Sequence, residues 1–340
     1  MSLTKFRQDF REALLSFIWR QWAQAGVSGH AAKKDSWTID PEALLLLSAE
    51  VGRYEARMFD EVLDWLLTNA RRISLQRLKN LLKSDPEYPT GLLASIGDCI
   101  QAYDPAVRWT FASDRDGTQK KEPLFMLQDG KPLLVSGEPD PHFARHGYLR
   151  TSYKPSNKSM LPVLSKPFNI AFRLRQFFGV NSRAEVVRVL MLHRGGELKI
   201  ATIADAAGFA KRNVNEALTG LAEAGVIQVR CRGKENLYAM HPAHWLELLE
   251  LREKDLPEWL DWPKLFRTFS LIHRWQDNVT RRELSLYMQS SEARQLMRRL
   301  APDLSGALPG LRLTDDRLYQ GEDYLRVFVN DTERILRRLA

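Results

Sequence analysis

Eight polar side chains in two short stretches carry the chemistry most readily read from this chain. Lys211, Arg212, Asn213, Asn215 and Thr219 fall within nine residues, and Arg230, Arg232 and Lys234 fall within five. These are the side-chain types that bind duplex DNA. Arginine presents two donors to guanine O6 and N7, asparagine pairs with an adenine edge, threonine meets a phosphate or a thymine methyl, and lysine meets phosphates. Signatures of catalysis are missing: no phosphate-binding glycine loop, HExxH helix or GxSxG elbow occurs. His142 with His146 and His241 with His244 have spacings a metal could use, but neither pair has a nearby cysteine or third ligand. They read as structural or solvated histidines. The expectation is a binding protein with no catalytic residue, no metal and no cofactor.

The charge distribution points to the same stretch. The net charge is +8. Residues 1–100 carry 13 basic and 13 acidic side chains and residues 241–340 carry 16 of each, while residues 165–240 carry 12 basic and 6 acidic. Three quarters of the excess therefore lies in one segment of 76 residues. A phosphate backbone rewards such a localised positive field through ion pairing and counterion release.

The elements that must position these residues can be read from periodicity. Ala184, Val187, Leu190 and Met191 mark a helix over 183–193, ended by Gly195 and Gly196. Residues 200–207 read as a short second helix with Gly208 as its turn. A third helix spans about 210–224, with Val214, Leu218 and Leu221 buried, so Lys211, Arg212, Asn215, Glu216 and Thr219 face the other way. Residues 226–232 and 237–240 read as a hairpin. Gln228, Arg230 and Arg232 alternate onto one of its faces, and Lys234 sits at the tip.

Residues 200–240, IATIADAAGFAKRNVNEALTGLAEAGVIQVRCRGKENLYAM, resemble the winged helix-turn-helix of MarR- and ArsR-type regulators, and with the first helix the likeness covers residues 165–240. The resemblance implies that the third helix enters the major groove and that the hairpin wing touches the backbone or minor groove; a homodimer on paired half-sites is expected as the working form. The predicted function is a duplex DNA-binding transcriptional regulator. Lys211 and Arg212 support it independently, since cations at a helix N-terminus oppose the macrodipole by roughly 0.3–1 kcal/mol and a DNA ligand would offset that.

The predicted fold class is mainly α with small β-hairpin wings: tandem winged helix-turn-helix units plus a helical C-terminal domain. Residues 1–127 form an N-terminal helical region, opened by an amphipathic helix (Phe6, Phe10, Leu14, Phe17, Ile18, Trp22) and by a second helix capped at Asp40-Pro41-Glu42. Within it, residues 53–127 suggest a degenerate winged helix with strands at 107–112 and 124–127. Its third helix, from Thr90 to about Ile100, has no Lys or Arg and carries Asp98, so the unit reads as a packing or dimerisation module. Residues 128–164, with five prolines and a turn at Asp129-Gly130, read as a connector. Their interleaved Phe143, Arg145, Tyr148, Arg150, Tyr153, Lys154 and Lys158 suggest, as an alternative, an arm along DNA. Residues 241–340 are predicted as helices at about 245–253, 259–275, 281–289, 292–300 and 322–339.

The longest aliphatic run, residues 44–47, is too short for a membrane span, and the N-terminal apolar stretch is interrupted by charges. Cys99 and Cys231 form no CxxC pair. A cytoplasmic protein with no membrane partner is expected. An alternative function is a tandem winged-helix scaffold for protein partners. Phe172 to Val180 (FRLRQFFGV) is similar to chains that accompany nucleotidyltransferase-type toxins, which implies a partner of that kind.

Overall fold

The computed structural model describes residues 3–28, 37–114, 121–194, 196–241, 243–308 and 310–339. Local sequence signals place most helices. The amphipathic start gives α1 (Leu3–Ala25), which ends at Gly26 in a positive-φ turn. Asp40 caps α2 (Pro41–Val51), its carboxylate accepting the Ala43 N–H at 3.2 Å, with Pro41 at the first helical position. α3 (Ala56–Asn69) follows, then α4 (Leu75–Leu82), capped by Ser74, and α5 (Thr90–Tyr103).

The hairpin expected after α5 is not formed among the described residues. Residues 107–114 hold no strand, and the expected turn at 114–117 lies largely outside the described residues. Instead Trp109 is buried, and its carbonyl comes so close to α5 that a Cβ on Gly97 would sit 2.6 Å from the oxygen. This segment lies flat on the helix, so its aromatic residues serve packing rather than strand pairing. The short β1 (Glu122–Pro123) pairs in parallel with β2 (Tyr148–Leu149).

Residues 128–164 are neither a loose connector nor an arm. Around α6 (Pro141–Ala144), Phe143 and Tyr148 are fully buried, and Arg150 donates two bonds to Asp60, at 2.6 and 3.0 Å. Asp64 accepts the backbone N–H groups of Ser156 (2.7 Å), Asn157 (2.9 Å) and Ser159 (3.2 Å). Burial opposes its ionisation, yet these bonds hold its carboxyl below the usual range. Of the interleaved residues Phe143, Tyr148 and Arg150 are thus internal and Tyr153 partly so, while Arg145, Lys154 and Lys158 are exposed. The expected turn at Gly130 is present, at φ +88°.

Next come α7 (Ile170–Phe178), α8 (Ser182–Leu192), β3 (Leu198–Lys199), α9 (Ile200–Ala207), α10 (Lys211–Glu223), β4 (Gln228–Arg232) and β5 (Glu235–Ala239). The strands form an antiparallel sheet in the order β3-β5-β4, with Arg230 opposite Leu237. α11 (Ala243–Leu248), α12 (Trp262–Arg281), α13 (Leu286–Ala307) and α14 (Asp323–Leu339) complete the chain. The two helices expected at 281–289 and 292–300 are divided differently. Glu283 takes a positive φ of 49°, Ser285 caps a new helix, and α13 then runs unbroken for 22 residues.

Two cores result. In the larger, both ends of the chain meet: Phe6 lies against Phe328, Phe10 against Phe269, and Phe17 against Trp262 at 5.4 Å between ring centroids. The last three helices therefore share a core with α1 and α2 instead of standing apart as the sequence suggested. The smaller core runs from Ile170 to Leu256 and includes Val187, Leu190, Ile203, Val214, Leu218, Leu221, Ile227 and Tyr238. It keeps α11, so it extends past residue 240. Among the described residues no helix is long and apolar enough to cross a membrane.

Candidate nucleic-acid interface

α10 forms because Val214, Ala217, Leu218 and Leu221 repeat at helical spacing and pack onto α8 and α9. Gly208 makes the preceding turn at φ +70°, which favours glycine, and a Cβ there would press on the Arg77 side chain at 3.1 Å. Gly225, also at φ +70°, ends the helix. The opposite face is exposed at Lys211, Arg212, Asn213, Asn215, Glu216 and Thr219. Ala210 supplies no side-chain cap, and the first turn contains no acid, so the protein leaves the positive end of this helix uncompensated.

Within the hairpin every residue of β4 is exposed, Gly233 makes the turn at φ +65°, and β5 anchors the pair by burying Leu237 and Tyr238. All eight predicted contact residues are therefore solvent-facing, on two elements of one small unit. Arg212 pairs with Glu216 at 3.2 Å and Arg230 with Glu197 at 2.6 Å. Both arginines are largely exposed, so each pair contributes roughly 0–1 kcal/mol and yields readily to a phosphate. Lys211, Arg232 and Lys234 have no partner among the described residues.

Sequence reading missed the charged junction beneath this unit. Asp40 and Glu42 from the start of α2, Arg77 from α4, Arg175 from α7, and Glu185 and Arg188 from α8 are all at most 3% exposed. Arg77 donates to Asp40 Oδ2 at 2.6 Å, to Glu42 Oε2 at 2.8 Å and to the Ala207 carbonyl at 2.8 Å. Arg175 bridges Glu42 (2.8 Å) and Glu185 (2.7 Å), and Arg188 holds Glu185 Oε2 at 2.8 Å. Three cations meet three anions. Burial alone would protonate Asp40 and Glu185, but the arginines overcome it and hold both carboxyls below their usual range. A signal was present in α8: apolar residues occupy all sides of it, so Glu185 and Arg188 within it had to be buried and paired.

The junction also corrects the charge map. Arg175, Arg188 and Glu185 are spent inside, which leaves ten basic and five acidic side chains of residues 165–240 to face solvent. The stretch likened to toxin partners is divided, with Phe172, Leu174 and Arg175 buried and Gln176, Phe177 and Gly179 exposed. His146 hydrogen-bonds Asp98 at 3.1 Å, the side chain of His244 lies outside the described residues, and among those residues no group of three or more His, Cys, Asp or Glu could hold a metal. Comparison with family models, curated proteins and solved structures finds no match, so the likeness of residues 200–240 to regulators rests on those residues themselves.

Proposed function

We propose that the chain is a duplex DNA-binding transcriptional regulator in which residues 165–240 act as a winged helix. α10 enters the major groove, and the β4–β5 hairpin runs along the backbone. The observation that carries this reading is the common exposure of Lys211, Arg212, Asn213, Asn215, Thr219, Arg230, Arg232 and Lys234 on the segment with the largest net positive charge. Arg212 exchanges Glu216 for a guanine edge, Asn215 and Asn213 read adenine, Thr219 meets a phosphate or thymine methyl, and the hairpin cations position the duplex. The protein works in the cytoplasm as a homodimer on half-sites about 34 Å apart.

Fluorescence anisotropy with the duplex upstream of its own gene and a scrambled duplex, across a salt series, tests this. Both should weaken with salt, with a log-log slope near −0.9 per phosphate contacted, and the native duplex should bind ~10³-fold tighter. If neither binds at low salt, the unit serves protein partners instead. One observation favours that second reading: Leu286, Tyr287 and Met288, consecutive at the start of α13, are 49%, 60% and 44% exposed, an apolar surface suited to a protein.

A further inference from the structure

Where the two cores meet, a cleft of about 680 Å³ opens between α2, α4, α12 and the turn that leads into α10. Its size falls in the range of small-molecule sites, roughly 300–1,000 Å³. Leu46, Leu81, Phe209 and Phe266 give it apolar walls. The acids and cations that line it are equal in number but unequally paired. Four acids line it and all are taken: Asp205 and Asp261 by Lys264, Asp303 by Arg267, and Asp85 by Arg274 through two bonds. Of the four lining cations, Lys264 and Arg267 are those partners. Lys83 touches only the Asn80 side-chain oxygen, at 3.1 Å, and Lys211 has no partner among the described residues. An open cleft with apolar walls, acids already paired and two uncommitted ammonium groups suits an anion with an apolar body.

We infer that this cleft binds a small organic anion with an aromatic or branched apolar body, its charged group held by Lys83 and Lys211. The inference rests in part on the DNA-binding reading, because Lys211 is also the first side chain of α10. Ligand and phosphate then compete for one ammonium group, and the anion weakens DNA binding.

The test uses 8-anilinonaphthalene-1-sulfonate, an aromatic sulfonate whose fluorescence rises in apolar sites, titrated into the full chain without DNA. Two variants at exposed lining positions accompany the wild type: Ala201→Trp, which fills the cleft, and Lys83→Glu, which removes one cation. Saturable one-site binding that weakens at least tenfold in both variants, with melting temperatures unchanged, is expected. Absence of saturable binding, or binding unchanged in the variants, overturns the site. Because this arm contains no DNA, its result stands whether or not the protein binds a duplex. In a second arm with a bound duplex, dye and DNA should weaken each other by the same factor. Dye affinity unaltered by a bound duplex overturns the sharing of Lys211.

Discussion

The exposed face of α10 with its hairpin and the buried junction beneath it use the same residue types for opposite ends. At the surface, Arg212 and Arg230 sit 88% and 75% exposed beside single glutamates. At the junction, Arg77, Arg175 and Arg188 are sealed from water and share three carboxylates with matched geometry. Solvent screens the first set, so its pairs add little to stability and stay available to a ligand. The second set has no water to fall back on. Each of its charges depends on the others, which locks the unit of α8–α10 onto α2 and α4.

The largest effect should come from breaking the junction. Glu185→Ala leaves three buried arginines with two carboxylates and should cost about 3–5 kcal/mol of unfolding free energy. Glu216→Ala at the surface should change it by no more than about 0.5 kcal/mol. Urea denaturation of the two variants measures the contrast, and similar losses would show that burial does not separate the two regions.

The converse substitution should spare the fold and strike binding. Arg212→Ala combined with Arg230→Ala should leave the melting temperature nearly unchanged and weaken duplex affinity about 30-fold, ~2 kcal/mol. Unchanged affinity in the anisotropy assay would count directly against the DNA-binding reading.

A smaller effect extends the comparison to a third buried group. His273 lies under Tyr54 with its Nδ1 unpartnered, and burial pushes its pKa down to about 4, with Asp277 opposing from 3.7 Å. Below the unfolded value of about 6.5, the unfolded chain takes up a proton that the folded chain refuses until near pH 4. Stability therefore falls as pH drops through that window, by about 1 kcal/mol between pH 7 and 5.5. His273→Leu should flatten this part of a melting-temperature profile relative to wild type. A profile with the same slope in both proteins would place the titration elsewhere.

Much of α8–α10 and the hairpin was legible because its signals are local. The Val214, Leu218, Leu221 stripe, the stops at Gly208 and Gly225 and the alternation of Arg230 with Arg232 act within a few residues. The strand expected at 107–112 failed for the opposite reason. Its β-like composition serves a contact with Gly97, and no local pattern announces what a Trp will pack against. Residues 128–164 failed likewise, because prolines and scattered aromatics look the same in a linker and in a segment pinned by Asp60 and Asp64.

By itself the sequence determined the helix and hairpin positions of residues 182–239, their exposed polar face and the local excess of positive charge, since all three follow from short-range periodicity and counting. Only the tertiary structure decided which charges face solvent. Asp40 and Arg77 lie more than 90 residues from Arg175, Glu185 and Arg188, and only the packing of α2, α4, α7 and α8 removes water from between them and makes their pairing obligatory.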